Sequence, residues 1–210
     1  MAKLIFTYAP MNSGKSTSLL QADYNYTSED NNTIIISHAI DTRFGEGVIA
    51  SRLGLQKSCE VITTETNVFK LIQERIEQTG SVDCVLIDEV QFCTPEQIMQ
   101  LTDIVDELDI PVLCYGLKTD FKGELFPGIA KLLAVVDTIR ELTQVCHCKK
   151  RSHMVLRYGE DGKIQRDGET IVVGAESMYR SVCRKHWKEG NLGPRIYKQL
   201  GVPDPFSKEE

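Results

Sequence analysis

Four short apolar runs punctuate the first half of the chain: Leu4–Tyr8, Thr33–Ser37, Val82–Ile87 and Pro111–Tyr115. They are continuous rather than alternating, the pattern of strands covered on both faces of a parallel sheet. Helical periodicity fills the gaps. Ser16 to about Glu29 follows the first run. Asn67 to Gln78 sets Val68, Leu71, Ile72 and Ile76 on one face and stops at Gly80, because glycine takes the left-handed helix end without penalty. Thr94-Pro95-Glu96-Gln97 supplies a cap, a proline for the first helical position and a glutamine to close a capping box. The helix it opens runs to about Leu108, with Ile98, Leu101, Ile104, Val105 and Leu108 inward. Strands and helices in alternation predict an α/β fold with a doubly wound, mostly parallel sheet. Such sheets bind ligands beyond the carboxyl ends of their strands.

From about residue 143 the periodicity weakens. Cys146-His147-Cys148 appears, a stretch with Gly159, Gly162, Gly168 and Gly174 follows, and then comes Cys183-Arg184-Lys185-His186. Three thiolates and one imidazole, Cys146, Cys148, Cys183 and His186, suit tetrahedral Zn²⁺ in a closed structural site. Cys-x-Cys is the less common spacing, and His147 or His153 can substitute for one ligand. Residues 143–190 therefore read as a small zinc-stabilised C-terminal module whose ligand pairs tie down both ends of the 149–182 segment. Residues 191–210 carry Pro194, Pro203 and Pro205 with few apolar groups and read as a flexible tail.

Composition narrows the function classes. Of 210 residues 41% are hydrophobic and 26% charged, ordinary values for a soluble globular protein. A net charge of −6 argues against general affinity for nucleic acid or anionic membrane. The first apolar run is too short for a signal-peptide core, and no stretch approaches the ~18 apolar residues of a membrane span. Seven cysteines without an export signal suggest thiols and a metal, and hence a cytoplasmic protein. Cys59, Cys84, Cys93 and Cys114 lie scattered and read as small buried hydrophobes, and His38 as structural.

The chemistry concentrates at two strand ends. Residues 9 to 17 read Ala-Pro-Met-Asn-Ser-Gly-Lys-Ser-Thr directly after the first apolar run. A strand, a tight loop of small residues and a helix start form a phosphate cradle, since loop N–H groups and the positive end of the helix dipole both attract an anion. Lys15 reaches the β- and γ-phosphates of a nucleotide and the Ser16 hydroxyl ligates Mg²⁺. Ala9 stands where G-x-x-x-x-G-K-[ST] has its first glycine, so the chain must turn there at a φ open to an L-residue. The third apolar run ends in Asp88-Glu89. Asp88, toward the phosphate loop, holds Mg²⁺ through its water shell, and Glu89 accepts a proton from an incoming hydroxyl. Asp41-Thr42-Arg43 follows the second run. A planar Arg43 cation suits a transferring phosphoryl group, although a surface ion pair explains that stretch equally well by itself. The loop and the acid pair together make the sheet a P-loop-type one, with residues 1–142 as its nucleotide-binding domain.

These residues, with others downstream, resemble one family: the type II, zinc-containing, cytosolic thymidine kinases. The matching stretches are Pro10 to Thr17, Asp41 to Phe44, Asp88 to Phe92, Tyr115 to Phe121 with Phe126-Pro127, Val172 to Gly174, Tyr179, and Ser181 to Arg184. The resemblance implies phosphorylation of the thymidine 5′-hydroxyl by ATP to give dTMP, with catalytic Mg²⁺ and structural Zn²⁺. It implies Glu89 as the base and Lys15, Ser16, Asp88 and Arg43 on phosphate and Mg²⁺. Ala9, Pro10, Met11, Asn12, Ser13, Gly14, Val90 and Gln91 complete the nucleotide contacts it implies. Phe121 would lie against the thymine ring, with Met11, Leu117, Phe92 and Phe126 walling the pocket. Backbone groups of Thr170, Ile171, Val172, Val173 and Gly174 would bond the base edge, and Tyr179 would support sugar or base. The 149–182 segment would cover the nucleoside. A homotetramer with feedback inhibition by dTTP is also implied. The chain departs from the family pattern at Ala9 and in Cys-x-Cys, where many relatives have Cys-x-x-Cys.

Two rival classes remain on the residues alone. A P-loop ATPase or GTPase switch fits the loop, but no Asn-Lys-x-Asp run reads guanine. A zinc-stabilised nucleic-acid binder fits Lys149-Lys150-Arg151 and Arg184-Lys185, against the acidic total.

Overall fold

The continuous apolar runs become the inner strands of one parallel sheet. The computed structural model describes residues 1–41, 45, 47–170 and 178–207. These fall into two compact units. The first comprises Met1–Tyr8, Gly14–Lys118 and Leu125–Leu142, and the second Ala9–Ser13, Thr119–Glu124 and the chain from Thr143.

The first unit runs β1 (Leu4–Tyr8), α1 (Lys15–Thr27), β2 (Thr33–His38), β3 (Val48–Ala50), β4 (Gln56–Ser58), β5 (Glu60–Ile62), α2 (Val68–Thr79), β6 (Cys84–Ile87), α3 (Pro95–Leu108), β7 (Val112–Gly116), α4 (Pro127–Val135) and β8 (Thr138–Glu141). Its six-stranded sheet has the order β5-β2-β6-β7-β1-β8, and every pairing in it is parallel. β3 and β4 pair separately as an antiparallel hairpin. From β1 the chain crosses to β2 in one direction, then returns from β5 through β6 and β7 to β8 in the other. Right-handed crossovers in opposite directions place their helices on opposite faces. The core shows this. Phe6, Ile34, Ile36, Val85, Ile87 and Val112 pack with Ile72 of α2, Ile98 and Leu101 of α3 and Ile129 of α4. Their strand neighbours Ile35, Leu86, Leu113 and Tyr115 pack with Leu19 and Leu20 of α1. Both faces need apolar residues, so the strands could not alternate.

Helix ends follow their local chemistry. The Thr94 hydroxyl accepts from Gln97 N–H at 3.1 Å and the Gln97 side chain accepts from Thr94 N–H at 3.0 Å, completing the capping box. Asn67 caps α2 by accepting from Lys70 N–H at 2.9 Å, and Gly80 ends it at φ 88°. Ile98 is fully buried one residue beyond Gln97. We expect Ile98→Ala to lower unfolding free energy by about 2–5 kcal/mol in a denaturant titration. A loss under about 1 kcal/mol would contradict the packing described.

The second unit holds β9 (Gln144–Val145), β10 (Arg151–Ser152), β11 (Met154–Tyr158), β12 (Ile164–Gln165), β13 (Tyr179–Val182), α5 (Arg184–Glu189) and α6 (Pro194–Leu200). β9 and β10 form a two-stranded ribbon, and β12-β11-β13 a three-stranded antiparallel sheet. The expected tail needs correction. Leu192, Ile196 and Tyr197 are buried in the same core as Leu156, Tyr158 and Val182, and Phe206 lies 6.5 Å from the Tyr197 ring. Ile196 and Leu200 lie one turn apart on α6 and turn toward that core, while Leu192 enters it just before the helix. The flanking prolines masked that pattern, whereas Pro194 in fact starts the helix.

Candidate active site and metal centre

The chain leaves β1 into a loop whose turns fall on Asn12 (φ 64°) and Gly14 (φ 81°). Ala9 is not among the residues with positive φ, so the missing first glycine requires no strained alanine. Gly14 is the residue before α1, and nothing lies within 4 Å of where a Cβ would stand. Its requirement is backbone conformation, not space. Lys15 and Ser16 open α1, with the Lys15 side chain buried at 7% exposure.

The acid pair follows β6. The Ser16 hydroxyl donates to Asp88 Oδ2 at 3.0 Å, which joins the helix start to the strand end. Asp88 is 3% exposed. Burial, then the neighbouring Glu89 charge, push its carboxyl pKa upward; Lys15, the Ser16 hydroxyl and the Glu89 backbone N–H oppose that shift. A buried carboxylate beside a hydroxyl oxygen, with charge left to compensate, is a donor set for a hard divalent cation. Glu89 has φ 50° and ψ 42°. For a non-glycine residue this left-handed backbone costs about 1–2 kcal/mol. Glu89 leads into a single 3-10 turn, Val90–Phe92. Glu89 N–H donates to Asp88 Oδ1 at 3.0 Å, and Gln91 Nε2 donates to Glu89 Oε2 at 2.5 Å. Phe92, at the end of that turn, meets Phe126 edge-on at 6.5 Å.

In the second unit Phe121 is 2% exposed, and its carbonyl accepts from Trp187 Nε1 at 2.9 Å. The Tyr179 ring lies 6.5 Å from the Phe121 ring, tilted by 60°. The Arg157 guanidinium stands 5.3 Å from the Phe121 ring and 6.0 Å from that of Tyr179, and its Nη1 donates to the Glu169 carbonyl at 2.9 Å. Asp120 is buried. It accepts from Lys122 N–H and Glu124 N–H at 2.9 Å each and from the Thr170 hydroxyl at 3.4 Å. Ser181 donates to the Met11 carbonyl at 2.8 Å, so Met11 is tied to β13. Burial pushes the Tyr179 phenol up, with Arg157 opposing.

The ribbon turn and α5 build the third group. Cys146 N–H donates to the Lys150 carbonyl and Lys149 N–H to the Cys146 carbonyl, both at 2.8 Å, with Lys149 at φ 68°. This tight turn carries Cys146 and Cys148. Cys183 precedes α5 and His186 lies within it. The four ligand atoms lie within 4.8 Å of one another. Cys146 Sγ is 3.3 Å and Cys183 Sγ 3.6 Å from His186 Nδ1, and Cys148 Sγ is 3.8 Å from Cys183 Sγ. Zn–S bonds of about 2.3 Å and Zn–N bonds of about 2.0–2.1 Å give tetrahedral edges of about 3.8 Å for S···S and about 3.6 Å for S···N. The donor set and its spacing thus fit zinc. His147 stacks on His186 at 4.1 Å, with its Nδ1 3.7 Å from Cys146 Sγ.

Of the residues singled out from the sequence, Gly14, Lys15, Ser16, Asp88, Glu89, Val90 and Gln91 lie in the first unit, whereas Ala9, Pro10, Met11, Asn12, Ser13, Phe121, Thr170 and Tyr179 lie in the second. Arg43, Ile171, Val172, Val173 and Gly174 fall outside the described residues. The sequence marks Asp120 only as part of the Tyr115 to Phe121 stretch, without a role, and Arg157 went unremarked. Arg157 sits inside β11, where a charged residue in a short strand reads as a solvated face.

The family profile described as Thymidine kinase matches residues 2–187. A thymidine kinase of Shewanella oneidensis is 48% identical over 189 residues, covering 90% of this chain and 98% of its own length. A thymidine kinase of Rhodopirellula baltica is 49% identical over 189 residues, with 90% and 89% covered. One of Haemophilus influenzae is 48% identical over 189 residues, with 90% and 97% covered. A profile match over residues 2–187 and relatives nearly half identical over nine-tenths of the chain show that the chain belongs to the thymidine kinase family.

Proposed function

We propose that this protein transfers the γ-phosphate of ATP to the 5′-hydroxyl of thymidine, giving dTMP and ADP. The observation that carries the reading is the Ser16–Asp88 bond at the start of α1, with the buried Glu89 next to Asp88 in a left-handed turn. Lys15 and the loop N–H groups hold the phosphates. Ser16 and Asp88 are the residues that would hold Mg²⁺, which supplies a positive charge against the β- and γ-phosphates when bound. Glu89 takes the proton of the 5′-hydroxyl as that oxygen bonds to the γ-phosphorus, and the bond to the bridging oxygen breaks to release ADP. Arg43 neutralises charge on the moving group. Phe121 and Tyr179 contact the nucleoside, and backbone groups of residues 170–174 bond the base edge; a flat neutral base suits apolar walls with few polar contacts.

Cys146, Cys148, Cys183 and His186 would hold zinc, whose chemistry here is structural. We further assign a homotetramer inhibited by dTTP and located in the cytoplasm. The family membership supports the first two. Unpaired thiols at all seven cysteines support the third, and among the described residues no helix is long and apolar enough to cross a membrane. A panel of nucleosides with ATP, scored for 5′-monophosphate, tests the activity. Thymidine should be the preferred acceptor and purine nucleosides should give no product. A purine preference would overturn the assignment.

A further inference from the structure

Gln91 is 3% exposed, yet both ends of its amide are committed within the protein. Nε2 donates to Glu89 Oε2 at 2.5 Å, and Oε1 accepts from Leu117 N–H at 2.9 Å. Leu117 is the residue after β7, so the amide ties the turn that follows β6 to the end of the adjacent strand. The site is built around it. A Cβ on Gly116 would stand 2.5 Å from Gln91 Oε1 and 2.9 Å from Val90 Cγ1, so the last residue of β7 must be glycine for the amide to lie where it does. Glu89 meanwhile sits at φ 50°, a backbone state that needs outside support to persist.

We infer that Gln91 is a positioning residue of the base: its side-chain amide, held by Leu117 N–H, sets the orientation of the Glu89 carboxylate and does not take part in binding the nucleotide. This rests on the reading of Glu89 as the base. The amide selects one carboxylate orientation and carries no proton itself. A base displaced by about 1 Å loses on the order of 10²-fold in rate while substrate binding is untouched.

The test is a double-mutant cycle on kcat in the full-length protein. Gln91→Met keeps the volume and removes both bonds. It should lower kcat by about 10–10²-fold with KM for ATP and thymidine within about twofold, and cost less than about twofold when Glu89 is already Gln, because residues that act as a unit are non-additive. Equal losses in both backgrounds would overturn the inference, as would a loss confined to KM for ATP. An undiminished kcat in Glu89→Gln alone would instead overturn the reading of the base, so the two failures are distinct. Should Gln91→Met not fold, as read by its melting curve, Gln91→Glu goes through the same cycle, since it keeps the acceptor for Leu117 N–H and removes the donor to Glu89.

Discussion

Replacing Glu89 by glutamine should lower turnover by about 10²–10⁴-fold while ATP and thymidine still bind. The substitution leaves shape, burial and the left-handed backbone as they are. It also keeps a side-chain oxygen able to accept from Gln91. What disappears is the site for the hydroxyl proton. In the proposed mechanism a neutral alcohol must then attack without a base, while Lys15, Ser16 and Asp88 are unchanged. Steady-state kinetics with isothermal binding titrations decide the matter. Turnover within a few-fold of the parent would remove Glu89 from the mechanism.

The second large effect concerns the metal. Purified protein should carry one zinc per chain by elemental analysis. Cys183→Ala should abolish that stoichiometry and lower the melting midpoint by about 8–16 °C, the equivalent of about 4 kcal/mol in a chain of this size. Structural zinc contributes about 10–16 kcal/mol of apparent binding free energy in isolated small domains. The second unit has a core of its own around Leu156, Val182, Leu192 and Tyr197, so only part of that figure should appear as lost stability. Cys148→Ala should also release the metal, whereas His147→Ala should retain it, because the three thiols and His186 already supply the tetrahedral edges. Retention of zinc by Cys148→Ala with loss by His147→Ala would reverse that assignment.

The parts legible in the chain are those where one physical demand acts on adjacent residues. Strands covered on both faces must be apolar throughout, and β2, β6 and β7 declared themselves that way. A capping box is a four-residue contract, so Thr94 to Gln97 could be read without tertiary knowledge. Phosphate loop and acid pair are likewise local. What stayed hidden depends on contacts between distant positions. β8 is an edge strand with Arg140 and Glu141 in it, and its short, charged sequence carries no strand signal. α6 escaped because prolines on both sides resembled a linker. The role of Gln91 needed Gly116 and Leu117, 25 and 26 positions away, brought beside it by the β6–β7 pairing. Arg157 required knowing that β11 and β13 are neighbours, since only that pairing sets it by Tyr179. In each case the missing information was register.

The most direct measurement follows ADP and dTMP together in one reaction, with ATP saturating and thymidine present or withheld. A phosphoryl acceptor held at the β6 strand end predicts equal molar yields of ADP and dTMP, and negligible ADP when thymidine is withheld. ADP and inorganic phosphate released at the same rate without nucleoside would contradict it, since the bound ATP would then be serving water rather than a sugar alcohol.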